Sequence, residues 1–157
     1  MRNHTKAFTL IEVITVVAVV GILAAVMQPK IDSWIGKSKI RTAADELHQY
    51  LAFAKGESFS KGVAVKVEID EDLNLLTIHS SSESTTNCKN SEVNWTDMKN
   101  NLDFEKIELI SGVEDDELCF FSDSSSNGGK LTLQSKHGEY EIEILSATAF
   151  IETSKIE

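Results

Sequence analysis

From Phe8 to Met27 the chain runs through a stretch whose only polar side chains are Thr9, Glu12 and Thr15. At helical rise that length is about 30 Å, the thickness of a bilayer's hydrocarbon core. Such a stretch crosses a membrane or is removed, so the rest of the chain must fold without it. A secretory signal peptide needs small residues at a cleavage site after its apolar region. This run ends in MQPKIDSW, which supplies none. A signal anchor fits better, because Arg2 and Lys6 precede the span and basic flanks hold an N-terminus in the cytosol. It leaves Glu12 unexplained, since a carboxylate at the centre of a span costs about 2.5–3.5 kcal/mol, and less near an end.

The segment Lys6-Ala7-Phe8-Thr9-Leu10-Ile11-Glu12 resembles the processing motif of type IV pilins and pseudopilins. The resemblance implies that a prepilin peptidase/methyltransferase cuts between Ala7 and Phe8 and methylates the new amine of Phe8. Residues 1–7 are then a leader peptide, 8–29 a transmembrane and filament-core helix, and 30–157 an extracytoplasmic globular domain. Glu12 becomes the fifth residue of the mature chain, where the family places its glutamate. Pro29 falls where the family carries a helix-bending proline. These two are the expected assembly residues, with Glu12 pairing with the Phe8 amine of a neighbouring subunit, because a charge in lipid needs an opposite charge. The motif departs from the family at Ala7, where glycine is usual.

Apolar spacing continues after Pro29. Ile31, Ile35, Ile40, Ala44, Leu47, Leu51, Ala54 and Phe59 recur at three to five residues and predict one long helix from about Thr9 to Ser60, amphipathic in its second half. Pro29 removes a backbone donor and should kink or loosen it. Lys37, Lys39 and Arg41 stand just beyond the span, where lipid headgroups or acids of a neighbouring subunit could meet them. After Gly62 the period becomes two. Strands are expected at Val63–Ile69, Leu75–Ser80, Phe104–Ile110, Glu117–Phe121, Lys130–Ser135 and Glu139–Leu145, with a last short one in TAFIE. Ser80 to Asn101 reads as a loop anchored by Trp95. A long helix followed by antiparallel strands is an α+β arrangement.

The helix segment IRTAADELHQYLAFAKGESFSKGVAV is similar to that of the GspH/FimT family of minor pilins and pseudopilins. Arg41, Ala43, Ala44, Leu47, Ala54, Glu57 and Gly62 fit the family pattern, and Ser58 stands where alanine is usual. The resemblance implies a pilin-like fold, with the second half of the helix packed on an antiparallel β-sheet. It also implies a structural subunit of a type IV pilus or a type II secretion pseudopilus, placed at or near the filament tip. Its expected partners are the prepilin peptidase, other pilin or pseudopilin subunits and inner-membrane lipid. The expected location is the bacterial inner membrane, single-pass with the N-terminus cytosolic and the globular domain in the periplasm or filament.

Cys88 and Cys119 lie in no CxxC pair, which argues against a zinc site. Outside the cytosol they form a disulfide or remain two buried thiols. His4, His48, His79 and His137 show no paired-ligand spacing, and there is no GxSxG or phosphate-loop motif. Acidic runs at Glu68–Asp72, Glu114–Glu117 and Asp123–Asn127 lack the EF-hand spacing and read as solvated turns. No catalytic site, metal or cofactor is expected. The alternative function is a DNA-uptake minor pilin. Against it stand 25 acids facing 15 bases and a tail, SATAFIETSKIE, that holds a single lysine, since binding to phosphates needs a basic patch.

Overall fold

The computed structural model describes residues 9–89 and 92–156, and the chain divides into two compact units at Gly36/Lys37. One helix, α1, runs from Leu10 to Lys61 and is helical through position 29. In the first unit the apolar side chains that are described are uncovered, Leu10 at 80% and Ile22 at 67% exposure. In the second unit one stripe is buried: Ile40, Ala43, Ala44, Leu47, Leu51, Ala54 and Ser58. Steps of three and four residues keep these side chains on one face. The expected stripe ended at Phe59, but Phe59 is 68% exposed and Ser58 is fully buried in its stead. Four residues after Ala54 the helix returns to the core face, and five carry it past. The Ser58 hydroxyl donates to the Phe120 carbonyl at 3.1 Å, so the buried oxygen is paired.

The helix stops at a glycine. Gly62 has φ +67, and its N–H donates to the Ser58 carbonyl at 3.1 Å. A side chain would oppose that left-handed conformation. The Glu57–Lys61 pair, 2.6 Å apart, closes the last turn.

Among the described residues eight strands follow: β1 (Val65–Asp70), β2 (Leu75–Ser81), β3 (Trp95–Asp103), β4 (Glu108–Ser111), β5 (Glu117–Phe120), β6 (Gly129–Ser135), β7 (Gly138–Ile144) and β8 (Ile151–Ile156). They form two four-stranded sheets with orders β3-β2-β1-β5 and β4-β6-β7-β8. Every pairing is antiparallel. The alternation in sequence says which side chains point inward, but not which sheet a strand joins. That is decided by β5, which pairs with β1 across an intervening β4, while β4 pairs forward with β6.

One hydrophobic core joins both sheets to α1. Val67, Ile78 and Phe120 come from the first sheet, Leu109, Leu133 and Ile142 from the second, and Leu47 and Leu51 from the helix. Burying a side chain of this size stabilises by about 1.5–3 kcal/mol. Tyr50 sits at the edge of this core, its hydroxyl donating to the Leu76 carbonyl at 2.9 Å. Burial, aided by the charge of Asp97, holds that hydroxyl well above the usual phenol range.

Three segments differ from the sequence reading. The expected loop from Ser80 to Asn101 ends in β3, an edge strand bonded on one side only, to β2. Its sequence, WTDMKNNLD, lacks the alternating β-branched residues that announce a strand, and the pairing is irregular between Thr77 and His79. The expected strand Phe104–Ile110 begins only at Glu108, because Lys106 turns the chain with φ 64 while Phe104 and Ile107 are buried as turn residues. In the tail, Ala149 has φ 46 and the strand starts at Ile151.

Gly129 opens β6 with φ +145. A Cβ there would lie 2.7 Å from Val113 Cγ2. Gly129→Ala is expected to destabilise the globular unit by about 1–3 kcal/mol, as overpacking does, measured by chemical denaturation.

Candidate functional site

Ala7 and Phe8 lie outside the described residues. Glu12 lies in the first turn of α1, where it is bound to Thr9. The Thr9 N–H donates to Glu12 Oε2 at 2.9 Å and the Thr9 hydroxyl donates to the same oxygen at 3.0 Å. The Glu12 N–H returns a bond to Thr9 Oγ1 at 3.3 Å. This is a capping box, in which Thr9 and Glu12 satisfy each other's orphan backbone donors. The sequence reading missed it, although the T-x-x-E spacing of Thr9 and Glu12 before an apolar run is its signature. The box fixes the glutamate in the first helical turn, beside the point where the expected cut would place a terminal amine. Thr15, the remaining polar side chain of the stretch, donates to the Ile11 carbonyl at 2.7 Å and exposes no unpaired hydroxyl. The stretch is long and apolar enough to cross a membrane, and none of its most apolar window is buried within the protein. Pro29, the other expected assembly residue, lies within α1.

In the second unit Cys88 and Cys119 form a disulfide with Cα atoms 6.1 Å apart. The two residues pack with Ala64, Phe121 and Trp95 into a small cluster separate from the main core. Cys119 alternates with the buried Leu118 and Phe120 on β5, so the bridge lies on the face of the first sheet turned away from the main core. Lys66, across from Cys119 in register, lies on that face too. Its ammonium is 2.7 Å from Glu117 Oε1 and 5.2 Å from the centre of the Trp95 ring, within the range of a cation–π contact. A second tie comes from Lys89, next to Cys88, whose ammonium is 2.9 Å from Glu114 and also meets Asp115. Both hydrogen bonds hold that ammonium above the usual lysine range, Asp115 first. The disulfide thus staples the Ser-rich segment before β3 onto the first sheet. Cys88→Ser is expected to lower stability by about 3–4 kcal/mol, the chain-entropy value for a loop of this size, read by thermal denaturation with and without reductant.

The remaining candidates are structural. His48 Nδ1 lies 3.0 Å from the Thr153 hydroxyl, tying α1 to β8. His79 Nε2 is 3.3 Å from Glu68 Oε2. His4 lies outside the described residues. Acids of the three runs serve turns. Asp70 accepts from the Leu73 N–H at 2.9 Å, Glu71 accepts from the Ser111 N–H, and Asp123 accepts from the Ser125 hydroxyl, which holds its carboxyl below the usual range. Among the described residues no three His, Cys, Asp or Glu side chains gather as a metal would require.

Three comparisons bear on this arrangement. Residues 2–27 match the family described as the prokaryotic N-terminal methylation motif. The type IV major fimbrial protein FimA of Dichelobacter nodosus is 41% identical over 49 residues. That match spans 31% of this chain and 31% of FimA, so about a third of each protein is aligned. Among solved structures, the minor pseudopilin EpsH of the type 2 secretion system of Vibrio cholerae superposes with a TM-score of 0.59 at 16% identity, over 74% of this chain and 97% of EpsH. The type IV minor pilin FimU of Pseudomonas aeruginosa superposes with a TM-score of 0.57 at 15% identity, over 77% of this chain and 92% of FimU. At these identities the likeness carries the fold, while the N-terminal match carries the motif. The chain thus carries a prokaryotic N-terminal methylation motif on an uncovered apolar helix, followed by a globular unit with the fold of these pilin and pseudopilin structures.

Proposed function

We propose that the chain is a structural subunit of a type IV pilus or a type II secretion pseudopilus. The observation that carries this reading is the methylation motif lying directly on a helix whose apolar stretch is unburied. Prepilin peptidase removes residues 1–7 and methylates Phe8. The apolar helix waits in the inner membrane and then leaves lipid for the filament core. Glu12 takes the terminal amine of a neighbouring subunit as its counter-charge, because breaking a buried pair costs about 3–5 kcal/mol. The globular unit stays outside the cytosol, where the Cys88–Cys119 bridge is stable. Placement at or near the tip belongs to the same proposal, and the work is assembly without catalysis.

The test is fractionation of sheared filaments from cells with a complete machinery. The chain is expected in the filament fraction, and Ala7→Arg, which places a large charged residue at the cut, should hold it in the membrane. Equal recovery of the two forms in filaments would contradict the proposal. Labelling with antibody should mark filament ends, and marking along the whole length would overturn the tip placement. The acidic balance works against binding nucleic acid, so no gel shift is expected even at low salt, where electrostatic binding is strongest.

A further inference from the structure

We propose that Asn94 is a site of N-linked glycosylation, which takes an oligosaccharide from a polyprenyl-diphosphate donor once the globular unit has been exported. The inference goes beyond the filament-subunit reading and rests on it only for export. Residues 92–96 read Glu92-Val93-Asn94-Trp95-Thr96. Asn-x-Thr with no proline between is the acceptor triplet for N-glycosylation on the surface of an exported protein. Glu92 adds an acid two residues ahead of the asparagine, the extension that bacterial oligosaccharyltransferases recognise by its charge. The chain has one other such triplet, Asn3-His4-Thr5. It has no acid ahead of it and falls within the expected leader.

The fold presents the triplet to solvent. Asn94 lies immediately before β3, and Thr96 is the second residue of that strand. Both are exposed, as is Glu92, while Trp95 between them is half-buried. The indole packs on the cluster around Cys88 and Cys119. The tryptophan therefore anchors the segment and leaves the two acceptor residues to solvent. The Asn94 carbonyl accepts from the Ser82 N–H at 3.1 Å, whereas its carboxamide has no hydrogen-bond partner among the described residues. Attachment of a sugar to that carboxamide breaks no contact of the folded unit. Bonded to β2 alone, the start of β3 opens more cheaply than a central strand, so the segment can bend into an active site. An uncovered edge is also a template for unwanted strand pairing, and a hydrated glycan at the head of β3 shields it.

In the transfer, Asn94 Nδ2 forms a bond to the anomeric carbon of the donor sugar. The bond from that carbon to the diphosphate oxygen breaks, and polyprenyl diphosphate leaves with the electron pair. The amide gives up one proton, and no oxidant or reductant is consumed.

The test is glycopeptide mass spectrometry of the full chain isolated from its own cells, with a fragmentation that keeps sugars attached. The peptide holding Asn94 is expected to carry a ladder of sugar-residue masses assigned to that asparagine. Asn94→Gln and Thr96→Ala should lose the ladder, and Glu92→Gln should lose most of it. Thr96→Ser should keep it, because serine also completes the triplet. All four changes are at exposed positions, and an unchanged melting midpoint of each variant separates loss of the glycan from misfolding. A bare Asn94 in the parent chain, sugar carried instead by a serine or threonine of the segment, or a ladder indifferent to Thr96→Ala overturns the proposal. The N-terminus is read on the same sample. A chain that begins at Phe8 with a bare Asn94 overturns the glycan and leaves the filament-subunit reading standing.

Discussion

Glu12→Ala is expected to be cut and methylated as the parent chain is, yet to fall by about a hundredfold or more in sheared filaments. The magnitude follows from an unpaired charge. Losing one partner of a buried pair costs about 3–5 kcal/mol, and each 1.4 kcal/mol is a factor of ten. The capping box supplies a rival explanation, since Glu12 also bonds the Thr9 N–H and hydroxyl and a lost cap costs about 0.5–2 kcal/mol. Glu12→Gln separates the two. Glutamine serves a capping box as glutamate does but carries no charge. If charge pairing drives assembly, Gln fails as Ala does. Normal incorporation of the Gln variant would leave the glutamate as a cap and remove the pairing account.

Phe120→Ala should damage the globular unit more than any surface change. Phe120 is fully buried, stands opposite Val65 in β5, and its carbonyl accepts the Ser58 hydroxyl. It is thus packed where the helix, the first sheet and the Ser126 bridge converge. Removing a buried phenyl ring costs about 3–5 kcal/mol, which lowers the melting midpoint of a domain this size by roughly 10–20 °C. The measurement is calorimetry of the globular unit, and a shift of only a degree or two would mean that the core closes without this ring.

How far these features could be read from sequence depended on their range. The apolar run and the motif from Lys6 to Glu12 are local, so the helix and the family resemblance were both visible there. The pattern VAVKVEID, followed by EDLN, announced the β1–β2 hairpin, because a two-residue period and a tight turn are also local. The split into two sheets was not visible, because it depends on β5 crossing back to β1, a contact between residues that lie far apart in the chain. β3 was hidden because edge strands tolerate polar residues that inner strands do not. The Thr9–Glu12 box is legible as T-x-x-E, but a glutamate in an apolar run also fits a charge partner on another subunit, and the local pattern does not choose between the two. Ser58 could be seen as a departure from alanine, and its reason lay in the Phe120 carbonyl, out of reach of any local pattern.

Assembly through Glu12 requires a new amine to be made beside it. Intact-mass and N-terminal sequencing of the protein from cells with and without prepilin peptidase tests this directly. With the enzyme, the chain is predicted to begin at Phe8 and to carry one added methyl group, and without it to keep residues 1–7. A chain that still begins at Met1 in the presence of active enzyme would deprive Glu12 of its partner and contradict the account.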